Sequence, residues 1–143
     1  MPKHYLFRIG NGFNFRASSA RHIWGIVSKD AKFFLEGAEK GDLLWFIQAE
    51  SKGLAIAVAT YVGSRARGPS TLTNEELGWT EATGGDSDTE VHYKDLYDIS
   101  HCGHETKIKS ARVYWNYNSE TCMVNLPAEY PAIVRYLKVV LSM

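Results

Sequence analysis

The chain has 143 residues, 45% hydrophobic and 22% charged, a size and balance that suit one globular domain with a real core. Sixteen basic residues offset sixteen acidic ones, which excludes the global positive field of a sequence-blind nucleic-acid binder and leaves only a locally built site. Four Trp, eight Tyr and six Phe suit a β-rich core or a pocket that stacks on flat ligands, and two cysteines are too few for a disulfide framework.

Taken in chain order, His4 to Gly10 is apolar and aromatic enough for a buried strand, and it ends at the turn-forming Gly10-Asn11-Gly12. Arg16 to His22 has helix-compatible residues and runs into Ile23-Trp24-Gly25-Ile26, where Gly25 is placed to stop the helix and leave Trp24 at its exit. A second short helix is expected over Lys32 to Glu39. The turn Lys40-Gly41-Asp42 then launches a strand from Leu43 to Ala49, and Ser51-Lys52-Gly53 links it as a hairpin to Leu54 to Gly63.

From Ser64 to Thr89 the composition turns to Arg, Gly, Pro, Ser and Asp, which reads as a long loop. Within it, Thr73 and Glu76 have capping-box spacing for one helical turn ending near Trp79. Strands are expected again over Glu90 to Ser100 and Ala111 to Asn118. The apolar spacing of Pro127 to Leu141 predicts an amphipathic closing helix. No apolar run approaches the roughly 20 residues that span a bilayer, and the amino terminus lacks signal-peptide segments, so a soluble intracellular protein, cytoplasmic or nuclear, with no membrane partner is expected.

The order of strand, helix, Ile23-Trp24-Gly25-Ile26, short helix, Lys40-Gly41-Asp42, paired strands and closing helix resembles the EVE family over nearly the whole chain. The opening Tyr5-Leu6-Phe7 and the helix entry Leu126-Pro127-Ala128-Glu129-Tyr130 are similar to landmarks of that family. The resemblance implies a single α+β domain over residues 1–143, with a PUA-like curved mixed sheet or open barrel of about five or six strands flanked by short helices. It also implies a non-catalytic reader of a modified base, since EVE domains are similar in fold to YTH domains, which hold a methylated adenine in an aromatic cage. By position, Trp24 matches the first cage tryptophan and Trp79 the second, with Asn11 and Asn14 where polar residues face the base. The chain departs from the YTH pattern around the first helix and after Trp79, so methyl-adenine specificity is not carried over.

A base in such a cage needs aromatic walls and a few donors and acceptors, and stacking contributes roughly 1–3 kcal/mol. The competing role for Trp24 is a plug between helix and sheet, and for Trp79 a pin that fastens a long loop. Asn beside Gly is also ordinary turn chemistry. Trp45 and Trp115 lie inside strand-like runs and are expected in the core. Arg65, Arg67 and Arg16 are the candidate phosphate contacts, with Arg8 and Arg21 behind them; the competing role is solvated surface charge.

His101-Cys102-Gly103-His104 with Cys122 has the atom types for zinc, yet the spacing matches no closed zinc pattern, and no nucleophile or phosphate-loop signature is present. The expectation is therefore a binding module without metal, cofactor or catalytic residue. Its partner is DNA or RNA carrying a methylated or hydroxymethylated base. The alternative is a protein-interaction or structural module, binding another chain or itself through the same fold.

Overall fold

In the computed structural model, residues 4–48, 54–80 and 87–100 are described. The expected strand at Ala111 to Asn118, the closing helix, Trp115 and the His/Cys segment at His101 to His104 lie outside these residues. Among the described residues, five strands form one sheet in the order β1-β3-β4-β5-β2. They are β1 (His4–Arg8), β2 (Ile23–Ile26), β3 (Leu43–Gln48), β4 (Leu54–Ala66) and β5 (Thr89–Asp98). The run β3-β4-β5-β2 is antiparallel and curls into a half-barrel, and β1 joins β3 in parallel. The class is mixed α+β, as expected. The antiparallel half-barrel itself has four strands, fewer than the five or six predicted.

Each strand's place follows from its composition. β3 (LLWFIQ) is buried from Leu43 to Ile47 without alternation, as a strand covered on both faces must be. The Phe7, Phe34 and Phe46 rings pack edge-on at 5.0–5.7 Å across β1, β3 and the helix α2 (Lys32–Gly37). Trp45 is buried, as its strand position predicts.

Two local expectations are corrected. The helix α1 covers Phe13–Ser18 and passes into a 3-10 turn, Ser19–Arg21. It stops at His22, at φ 56°, before Gly25 is reached. Ile23-Trp24-Gly25-Ile26 is then a strand, because its backbone pairs with Thr89 to His92 of β5. β4 also runs past Gly63 to Ala66, so Arg65 sits in a strand opposite Glu90 and not in a loop.

Candidate nucleic-acid interface

Trp24 and Trp79 are brought together from distant parts of the chain. Trp24 stands on β2 opposite Val91, and its start is fixed to α1 where the buried Ser18 hydroxyl donates to the Ile23 carbonyl at 2.8 Å. Trp79 follows α3 (Asn74–Leu77), a single turn closed at both ends. Thr73 and Glu76 form the expected capping box, the Thr73 hydroxyl accepting from the Glu76 N–H and the Glu76 carboxylate from the Thr73 N–H, both at 3.1 Å. At the other end Gly78 adopts φ 80°, and the N–H groups of Gly78 and Trp79 donate to the Glu75 and Asn74 carbonyls in a Schellman motif. That turn sends the Trp79 indole back toward β2.

The two indoles meet edge-on, centroids 5.8 Å apart and planes at 71°. Phe15 of α1 continues the row, 6.1 Å from Trp24. Both tryptophans are 9% exposed, so the cluster is buried and its rings touch each other.

Polar groups fasten this arrangement. Asn14, on α1 and buried, accepts from the Thr80 N–H at 3.0 Å and donates to the Thr80 carbonyl at 3.4 Å. The residue after Trp79 is thereby tied to the first helix. Arg67 lies over the Trp79 ring with Cζ 5.0 Å from its centroid. Its Nη1 donates to the Ser87 carbonyl and hydroxyl at 3.1 and 2.8 Å, and its Nη2 to the Leu72 carbonyl at 3.2 Å. Among the described residues, Arg67 Nε and Trp79 Nε1 are buried with no hydrogen-bond partner.

The remaining predicted residues are elsewhere. Exposed Asn11 accepts from the Phe13 N–H at 2.9 Å, a turn contact at the start of α1. Arg65 donates from Nε to Glu90 at 2.8 Å; its side chain is 55% exposed while that of Glu90 is wholly buried. His92 Nε2 lies 3.1 Å from the same Glu90 oxygen. Exposed Arg16 borders a cavity of about 270 Å3 that also includes Phe15, Ile56, Leu96 and Asp98. Phe15 belongs both to that cavity and to the aromatic row, whereas neither tryptophan lines it.

The structure thus groups Trp24, Trp79, Asn14 and Arg67, and leaves Asn11, Arg16 and Arg65 at other points. Two participants were not singled out from sequence, Phe15 and Ser87, and neither were Glu90 and His92, which stand with Arg65 apart from the group. A Gly-flanked aromatic helix hints at Phe15, but nothing local marks the others. Among the described residues no group of three or more His, Cys, Asp or Glu side chains could hold a metal ion, and no helix is long and apolar enough to cross a membrane.

No family model matches the chain, and no curated protein does. Its fold is similar to solved YTH domains. One is the YTH domain-containing protein mmi1 in an RNA complex, with TM-score 0.46 and 13% identity over 68% of this chain and 55% of that one. Another is the Pho92 YTH domain in complex with m6A, with TM-score 0.49 and 17% identity over 71% of this chain and 63% of that one. A third is the YTH domain of the Zygosaccharomyces rouxii MRB1 protein in complex with N6-methyladenosine RNA, with TM-score 0.42, 13% identity, and 68% and 61% covered. The chain spans less than two thirds of each of these structures.

Proposed function

We propose that this chain is a non-catalytic, EVE-like nucleic-acid-binding module that holds a modified base against Trp24 and Trp79. The observation that carries the reading is the convergence of the two indoles, one from β2 and one from the turn after α3, in edge contact at 5.8 Å. A closed capping box, a Schellman turn and the Asn14–Thr80 pair all serve to put Trp79 there. Such precise fastening of a large ring beside a second one suits a site that is kept ready for a flat ligand.

As the rings stand they touch, and Arg67 covers a face of Trp79. A bound base therefore takes over a stacking surface that a ring or the guanidinium now occupies. Stacking is worth about 1–3 kcal/mol per base and tolerates any base; the added methyl or hydroxymethyl group supplies the discrimination. Exposed Arg16 and half-exposed Arg65 contribute charge toward the phosphates of the strand.

The test is a calorimetric titration of wild type, Trp24→Ala and Trp79→Ala with short DNA and RNA oligonucleotides, each with and without a modified base. The fold of each variant is checked by circular dichroism. The reading requires a preference for a modified base in wild type and its loss in both folded variants. Equal binding by the variants, or self-association in place of oligonucleotide binding, moves the interaction-module alternative ahead.

A further inference from the structure

β4 and β5 carry a row of cations on one face. Arg65 stands opposite Glu90 and Gly63 opposite His92, and Lys94 follows His92 by two positions, so all five share the face turned away from Val91 and Tyr93. Burial follows the same alternation: Val91 and Tyr93 are buried, His92 is half-buried and Lys94 is exposed. Arg67 extends the row beyond Arg65, its backbone N–H donating to the Asp88 carbonyl as the next rung of the ladder.

The charges on this face do not cancel. Glu90 is engaged by Arg65 and His92 through one oxygen, and Asp88 by the N–H and hydroxyl of Ser28. The guanidinium of Arg67 meets only two carbonyls and a hydroxyl, and the Lys94 ammonium has no partner among the described residues. Arg65, Arg67 and Lys94 against Glu90 and Asp88 leave a local positive excess in a chain of zero net charge.

Arg65 is the fixed member of the row. Its Nε–H donates at 2.8 Å to a wholly buried carboxylate while its side chain is 55% exposed, and its Nη donors have no partner among the described residues. A guanidinium held by one edge loses less freedom on meeting an anion than a free surface arginine does. Gly63 opens the floor beside it, since a β-carbon there would meet no atom within 4 Å. Its φ is not positive, so the backbone does not demand glycine at this point. Lys94 lies four residues along β5 from the partner of Arg65, about 13 Å at the strand rise. That offset suits successive phosphates of a chain better than one small anion.

We propose that a nucleic-acid strand lays its phosphodiester backbone along this trough, from Arg67 beside Trp79, past Arg65 and over Gly63, to Lys94. The proposal rests on the nucleic-acid-binding role given above and adds to it a backbone track that reads no base.

The experiment measures binding of short single strands that carry a modified, an unmodified or an abasic nucleotide at one position, over a range of salt concentrations. Wild type is compared with Lys94→Ala and Gly63→Ile, which leave the Arg65–Glu90 pair in place, and circular dichroism checks each fold. Lys94→Ala should weaken all three strands alike, about two- to fivefold at low salt, and reduce the slope of log K against log salt by roughly 0.7, one phosphate contact of a single strand. Gly63→Ile removes no charge but fills the trough, and should weaken all three strands as well. The preference for the modified base survives both variants, whereas Trp24→Ala abolishes it and keeps the slope. Affinity and slope unchanged in Lys94→Ala and Gly63→Ile overturn the track and leave the base-reader role standing. Displacement of the abasic strand by inorganic phosphate at an equal phosphate concentration also overturns it, because the site then holds a single free anion. Abasic binding that falls in both variants, with no preference for a modified base in wild type, keeps the track and overturns the reader role. If no strand binds wild type, both fall.

Discussion

Gly25 and Trp79 are in closer contact than any side chain at position 25 would permit: a β-carbon there would lie 2.7 Å from Cη2 of the indole and 2.5 Å from the Ser87 hydroxyl. The short strand β2 is thus both the perch of Trp24 and the floor under Trp79.

Gly25→Ala should therefore displace Trp79, because the obstruction is a rigid ring. Overpacking of this kind costs about 1–3 kcal/mol. Urea denaturation should show that loss, and the indole emission of the folded variant should shift to the red as Trp79 leaves its contacts. An unchanged midpoint and spectrum would mean that the ring yields without cost.

Asn14→Ala removes the three side-chain hydrogen bonds that Asn14 shares with Thr80, from its N–H at 3.0 Å, from its hydroxyl at 3.5 Å and to its carbonyl at 3.4 Å. A loss of about 1–3 kcal/mol is expected. Hydrogen exchange should quicken at Thr80 and Trp79 more than at β3. The variant would then bind oligonucleotides more weakly although Asn14 itself need not touch the base.

The Arg65–Glu90 pair is asymmetric, one partner half in water and the other wholly buried. Arg65→Ala strips the carboxylate of a charged donor and should destabilise by roughly 1–3 kcal/mol, with His92 retained at 3.1 Å. Replacing Glu90 by Gln in the same chain should recover part of that loss, because a neutral amide tolerates burial better. A double-mutant cycle by thermal denaturation measures the recovery; equal losses from the single and double variants would count against it.

Acid stability should carry a contribution from Asp88. The Ser28 backbone N–H, and then the Ser28 hydroxyl, both at 2.8 Å, hold its carboxyl below the ordinary aspartate value. A lowered pKa in the folded state means stabilisation present above the unfolded value, about 3.9, and lost as pH falls through the folded one. Ser28→Ala should therefore flatten the fall in melting temperature at the acid end while leaving the profile near neutrality parallel. Tyr93 moves the other way, its phenol pushed up by burial, so it titrates only far into the alkaline range.

Much of this architecture is legible from local pattern. The apolar runs of β1, β3 and the first half of β4, the glycine turns between them and the Thr73–Glu76 capping box all carry their own signals within a few residues. β2 does not. Four residues are too few for an alternation, and Ile23 to Ile26 becomes a strand only because β5, more than sixty positions later, offers it a free edge. The tail of β4 is equally silent, since Ser64, Arg65 and Ala66 are extended through pairing with Val91, Glu90 and Thr89.

The candidate site follows the same division. Resemblance pointed to Trp24, Trp79, Asn11 and Asn14; the two tryptophans and Asn14 converge, while Asn11 stays in the exposed turn before α1. The stacking of Arg67 on Trp79, the close seat on Gly25 and the Arg65–Glu90 pair depend on tertiary approach that no spacing encodes.

Base binding at the Trp24–Trp79 cluster is read by the intrinsic tryptophan emission of wild-type protein titrated with two oligonucleotides that differ by a single methyl group on one base. A reader of the modification shows saturable quenching with the methylated strand at concentrations where the unmodified strand gives little, and no such difference in a folded Trp24→Ala variant. Identical titration curves for the two strands, or an undiminished difference in that variant, would contradict it.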